Sequence, residues 1–120
     1  MILVDTSVWI DHFRERDDAL VGLLQAGRVA TCAVVRAELR LGSGVPVEVA
    51  ALLARIPNLP VPNPDAALSL LDRLGDRVTG AGIGFADLLL LGCALDAGCP
   101  LRTSDRRRAA AWEALGFQAG

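Results

Sequence analysis

The chain contains no lysine: all twelve of its basic residues are arginine. Lysine is the usual residue for Schiff-base or point-charge chemistry, whereas the planar arginine fork suits carboxylate and phosphate. Any mechanism that needs a catalytic lysine is therefore excluded. A single histidine, His12, and three cysteines (Cys32, Cys93 and Cys99) with no Cys-x-x-Cys pair make a zinc centre a poor candidate. No apolar run approaches the ~20 residues of a membrane helix; the longest uncharged one is Leu88–Leu95. No basic stretch precedes Ile2-Leu3-Val4, so no secretory signal is expected. Scattered cysteines in such a chain are expected to be reduced, buried and cytoplasmic. Repeats, low-complexity segments and interdomain linkers are also missing, so a single domain over 1–120 is expected.

What remains is an ordinary globular composition, 52% hydrophobic and 22% charged, enough to bury one core. The net charge of −2 gives no sign of a nucleic-acid binder, so any such function must lie in how the charges are distributed. Along the chain, short β-compatible runs alternate with helical patterns. Residues 2–5 read as a strand and 7–14 as a helix, with Trp9 and Phe13 four apart on one face. A second helix over 17–27 stops at Gly27, and 28–32 is a strand. Helices follow over 33–43 and 46–56, the latter opened by Pro46. A proline-bounded strand at 58–62 and a helix from Asp65 to Leu74 precede a turn-rich stretch, 76–84. An apolar helix over 85–98, a strand at 100–104, a helix over 105–115 and an edge strand at 116–119 complete the pattern. Alternation of this kind predicts an α/β layer with a mostly parallel sheet, whose ligands sit beyond the carboxyl ends of the strands.

Four acids stand apart from the solvated ones. Asp5 ends the first strand; it reads either as a helix cap or as a ligand, and Thr6 and Ser7 beside it already cap well. Glu38 shares a helix face with Val34, Val35, Leu41 and Gly42 and has no basic residue three or four positions away. Such a carboxylate either snorkels at the edge of the stripe or is paired, protonated or bound to a cation. Asp87 lies in the first turn of a helix whose segment Phe85 to Leu95 is otherwise nearly all apolar, which suits the helix dipole and equally a covered site. Asp105 ends the strand 100–104, followed by Arg106, Arg107 and Arg108 in a helix's first turn. Cations there oppose the macrodipole unless an anion joins them, and a phosphate would be held by both the helix end and the arginine forks; a solvated basic turn paired to Asp105 is the alternative.

Taken together, clustered carboxylates need something positive among them. Oxygen-only donors suit Mg²⁺ or Mn²⁺, and an acidic metal pocket rimmed by arginine is a site for phosphoryl chemistry. Phosphoaspartate proteins use acids and Mg²⁺ too, but they need a lysine, and their phosphatases typically have a second Asp where Ser7 stands. A dinucleotide binder fails because Gly82 and Gly84 do not open a first βα turn.

The four motifs, ILVDTSVWIDHF, AVVRAELRLG, GIGFADLLLLGCAL and LRTSDRR, resemble in order those of the PIN-domain ribonucleases. Within that family they are most similar to the VapC toxins of bacterial toxin–antitoxin pairs. The resemblance implies a three-layer α/β/α fold with four to five short strands. It also implies a Mg²⁺- or Mn²⁺-dependent endoribonuclease, a homodimer, and a small VapB-like antitoxin that blocks the site. It places the acids at Asp5, Glu38, Asp87 and Asp105, with Asp5 and Asp87 nearest the metal. Thr6, Ser7, Arg106 and Arg107 are the implied substrate contacts. Ser104 departs from the basic residue often found before the last acid, with Arg102 or Arg106 to Arg108 as substitutes. Trp9 either stacks a base or packs inside the protein, and His12 is assigned no role. A catalytically weak PIN module that binds protein or RNA is the alternative function.

Overall fold

The computed structural model describes residues 1–42, 44–78 and 80–117. The first strand, β1 (Ile2–Val4), leads into α1 (Thr6–Arg14) and α2 (Asp18–Gln25). After β2 (Val29–Cys32) come α3 (Ala33–Leu41) and α4 (Val47–Leu53). Next are β3 (Asn58–Leu59), α5 (Pro64–Leu74) and a 3-10 turn at Gly75–Arg77. The chain continues through α6 (Phe85–Ala97), β4 (Leu101–Arg102) and α7 (Arg106–Ala114).

The four strands form one sheet in the order β3-β2-β1-β4, and every pairing is parallel. Leu3 sits between Ala30 of β2 and Leu101 of β4, and all three are fully buried, as expected of a parallel sheet covered on both faces. Because all strands run the same way, the residues following β1, β2 and β4 emerge at one edge. The expected α/β class is thus the observed one.

α6 is apolar nearly all round, and Leu90, Leu91, Cys93 and Ala94 are fully buried, which makes it an interior helix. It packs closely on the segment after β3: a Cβ added at Gly92 would lie 2.7 Å from Pro62 Cγ. Cys93 Sγ donates to the Pro60 carbonyl at 3.2 Å. All three cysteines are free and buried. Among the described residues no helix is long and apolar enough to cross a membrane.

Three expectations need correction. The strand expected at 58–62 is only Asn58–Leu59, because Pro60 and Pro62 have no N–H to donate to a ladder. The strand expected at 100–104 stops at Arg102, beyond which Thr103 turns its hydroxyl into the site. No strand forms at Gly116 and Phe117; Phe117 instead stacks on Trp112, centroids 4.5 Å apart, and residues 118–119 lie outside the described residues.

Candidate active site

At the carboxyl edge of the sheet, the extended backbone of Asp5 makes it the N-cap of α1. Its Oδ1 accepts from Thr6 N at 2.7 Å. Its Oδ2 accepts from Ser7 Oγ at 2.9 Å and Thr103 Oγ1 at 2.7 Å. The side chain has no solvent exposure, so these donors replace the water a carboxylate would otherwise hold. The sequence reading gave the cap to Thr6 and Ser7. They are already helical, and their hydroxyls are spent on acids: Ser7 on Asp5, and Thr6 Oγ1 on Glu38 Oε1 at 2.8 Å.

Glu38 comes from α3, whose Val34, Val35 and Leu39 are buried; its own side chain is 32% exposed, which makes it the open side of the cluster. Asp87 comes from the first turn of α6 and reaches back to accept from Gly84 N at 2.6 Å through Oδ2. The helix-end role and the site role are therefore filled by the same carboxylate, one oxygen each.

At the centre of the three acids lies Arg108, its side chain 7% exposed. Nη1 donates to Asp5 Oδ1 at 2.5 Å and to Glu38 Oε1 at 3.1 Å. Nη2 donates to Glu38 Oε2 at 2.9 Å, and Nε to Asp87 Oδ1 at 2.5 Å. One guanidinium thus bridges three elements, with a two-toothed grip on Glu38 of the kind arginine makes best. Burial works against its charge, but the bonds to Glu38 and Asp87 and the charge of Asp5 more than offset this and raise its pKa. Three carboxylates around one cation still leave an excess of negative charge.

Asp105 stands beside this cluster rather than within it. Its Oδ1 caps α7, accepting from Arg107 N at 2.9 Å and Arg108 N at 3.2 Å. Burial pushes its carboxyl up, but those two N–H groups and the Arg107 guanidinium outweigh burial and hold it below the usual range. Arg106 and Arg107 are exposed. Arg107 Nη1 donates to the Gly82 carbonyl at 3.2 Å, so it lies along the loop before α6. Gly82 has φ +78°, which favours glycine, and a Cβ there would sit 3.3 Å from Cδ of the exposed Arg107, which would have to shift slightly. Arg102 is half-buried in β4. Ser104 Oγ donates to Asp11 Oδ2 at 2.7 Å. Trp9 is 1% exposed and belongs to the core, which rules out a stacking surface there. His12 Nδ1 accepts from Asp17 N at 2.9 Å.

Arg108 and Thr103 are the residues that sequence reasoning missed at the centre. For Arg108 a signal existed: with Ala111 and Trp112 it forms an i, i+3, i+4 stripe, and both partners are buried, so the third arginine of the run had to face inward. Thr103 had no such signal.

Among the described residues, no three carboxylate, thiol or imidazole groups are arranged to hold a metal ion, because the acids converge on the guanidinium. The donor set is nonetheless hard, anionic and all-oxygen, the type Mg²⁺ and Mn²⁺ take, and the guanidinium is a cation already seated among those oxygens. The residues fit a divalent cation.

Known proteins resemble this chain in sequence and in fold. The PIN domain family profile matches residues 2–112. Ribonuclease VapC32 of Mycobacterium tuberculosis, from strains CDC 1551 and H37Rv, is 44% identical over 113 residues, covering 92% of this chain and 90% of the relative. Among solved structures, FitAcB from Neisseria gonorrhoeae superposes with a TM-score of 0.63 at 20% identity, over 99% of this chain and 96% of that one. PAE2754 from Pyrobaculum aerophilum gives 0.61 at 21% identity, over 94% and 80%. At such identities the two structures speak for the fold alone.

Proposed function

The chain belongs to the PIN-domain family, and on that premise we propose that it is a Mg²⁺- or Mn²⁺-dependent endoribonuclease, the toxin of a toxin–antitoxin pair. One observation carries the reading: three acids from separate elements, Asp5, Glu38 and Asp87, meet at the carboxyl edge of the sheet around a positive charge. The cluster lies at the strand ends where an α/β fold places its ligands. The relative at 44% identity is itself named a ribonuclease.

In this reading Asp5, Glu38 and Asp87 would hold the ion and Asp105 would border it. When bound, the ion supplies an activated water and offsets charge on the scissile phosphate. The rest belongs to the chain. Ser7 and Thr103 fix Asp5, Thr6 fixes one oxygen of Glu38, and the Gly84 amide fixes Asp87. Thr6 and Ser7 thereby act as positioning residues rather than as substrate contacts. Arg106 and Arg107, exposed in the first turn of α7, present forks and a helix end to the RNA backbone. A small VapB-like antitoxin would cover this acidic edge, and a cytoplasmic homodimer is the form expected of the toxin.

The test compares the purified parent with Asp87→Asn on total RNA. The parent is expected to cut with Mn²⁺ or Mg²⁺ and to stop in EDTA. The variant should lose at least about a hundredfold in rate, more than a supporting residue around a metal typically costs, while keeping its circular dichroism. Equal cutting by the two would refute the assignment. A second reading, a PIN module that binds but cuts poorly, is favoured by one observation: Arg108 takes the inward carboxylate oxygens. A parent that cuts nothing in a broad transcript pool would select it.

A further inference from the structure

We propose that Arg108 is an internal counter-cation that competes with the divalent ion for the same oxygens, so that metal can enter only as the guanidinium withdraws. This rests on the metal-dependent reading above. Each buried acid turns one oxygen outward to a fixed partner. Asp5 Oδ2 is held by Ser7 and Thr103, and Asp87 Oδ2 by the Gly84 amide. The opposite oxygens, Asp5 Oδ1 and Asp87 Oδ1, and both oxygens of Glu38, all bond to Arg108. A divalent ion of this class needs such oxygens at about 2.0–2.1 Å in near-octahedral array. A planar guanidinium filling the space between them leaves no room for that array.

Two features make the exchange feasible. The cluster keeps an excess of negative charge with Arg108 in place, so it attracts a second cation before the first has left. Glu38, the most exposed of the three acids, lies on the open side, which gives the guanidinium a way out that does not cross the core. Arg108 then taxes metal binding by the fraction of molecules it occupies. If it fills the site in about 90–99% of metal-free molecules, apparent affinity falls about 10- to 100-fold. In return it prevents three carboxylates from facing one another without a cation.

The test uses the full chain and Mn²⁺ alone. By calorimetry Arg108→Met should bind Mn²⁺ at least about tenfold more tightly than the parent, and should melt at a lower temperature in EDTA but recover with Mn²⁺. A variant that binds Mn²⁺ no more tightly, or more weakly, overturns the proposal. In case Arg108→Met does not fold, the unmodified protein gives an independent answer. The Arg108 Nε–Hε proton should exchange slowly in EDTA and lose its protection on titration with Mg²⁺, at the midpoint of ion binding; protection that survives saturating Mg²⁺ refutes displacement. No Mn²⁺ uptake by parent or variant in the millimolar range overturns the metal reading itself, whereas uptake without an Arg108 effect overturns only this inference.

Discussion

Replacing Asp5 with asparagine should cost much less stability than replacing it with alanine, because the hydrogen-bond network around it can absorb a lost charge but not a lost acceptor. Four donors converge on Asp5: Thr6 N, Ser7 Oγ, Thr103 Oγ1 and Arg108 Nη1. The two hydroxyls are 3.2 Å apart and can bond each other, so alanine strands chiefly the Thr6 amide and one edge of the guanidinium. An unsatisfied buried donor costs about 1–3 kcal/mol, and a lost bond to a charged group about 1.5–3 kcal/mol, giving roughly 3–5 kcal/mol in all. Asparagine keeps an oxygen for Thr6 N and Arg108 and turns its amide to the hydroxyls, which can rotate to accept. It loses the charge assistance of the four bonds onto the carboxylate, largely offset by relieved repulsion from Glu38 and Asp87, for a net of about 1 kcal/mol. For a chain of this size 1 kcal/mol moves the melting temperature by about 3–5 °C. Asp5→Asn should therefore melt a few degrees low and Asp5→Ala about 10 °C or more. Urea unfolding in EDTA checks both, with an unchanged slope confirming the same unfolding transition. Equal losses for the two variants would mean that charge, not acceptor geometry, holds the cluster together. A loss under about 1 kcal/mol for alanine would mean that the network does not support the fold.

Two further outcomes follow from the packing and the caps. Gly92→Ala should destabilise by about 1–3 kcal/mol through overpacking; Pro62→Ala should recover part of that loss in a double-mutant cycle, and strict additivity would refute the contact. Asp105→Ala should cost about 1 kcal/mol at neutral pH as a lost cap, less any screening at this partly exposed position. Because the folded carboxyl titrates below its unfolded value near ~3.9, the parent's advantage should be full above that pH and vanish as the pH falls through the folded value. An advantage that persists to the lowest pH at which the protein folds would contradict the shift.

Much of the site was legible because its acids break local rules. Glu38 sits on an apolar stripe with no residue of opposite sign at helical spacing, and Asp87 opens a stretch, Leu88 to Leu95, that carries no other charge. Periodicity exposes both anomalies. Their partner was hidden because Arg108 is 70 residues from Glu38 and 103 from Asp5. Within a run of three arginines the local reading cannot tell which one points inward unless the buried stripe with Ala111 and Trp112 is followed. Asp105 stands where the resemblance implies a fourth acid, yet its Oδ1 faces α7's own amides, a division of labour that only the helix's exact start decides. β3 is shorter than expected because Pro60 ends the ladder before Val61, and β4 because Thr103, β-compatible in sequence, turns its hydroxyl to Asp5.

One of the two inner strands of the sheet is also its first. β1 is flanked by β2 on one side and by β4, some hundred residues later, on the other, and the guanidinium between its acids arrives later still. During synthesis the early strand and its carboxylate must therefore wait for nearly the whole chain, as pairings between distant residues always do. The guanidinium that bridges the acids is added only when α7 (Arg106–Ala114) is made. A chain stopped before α7 holds three acids without the cation that seats them.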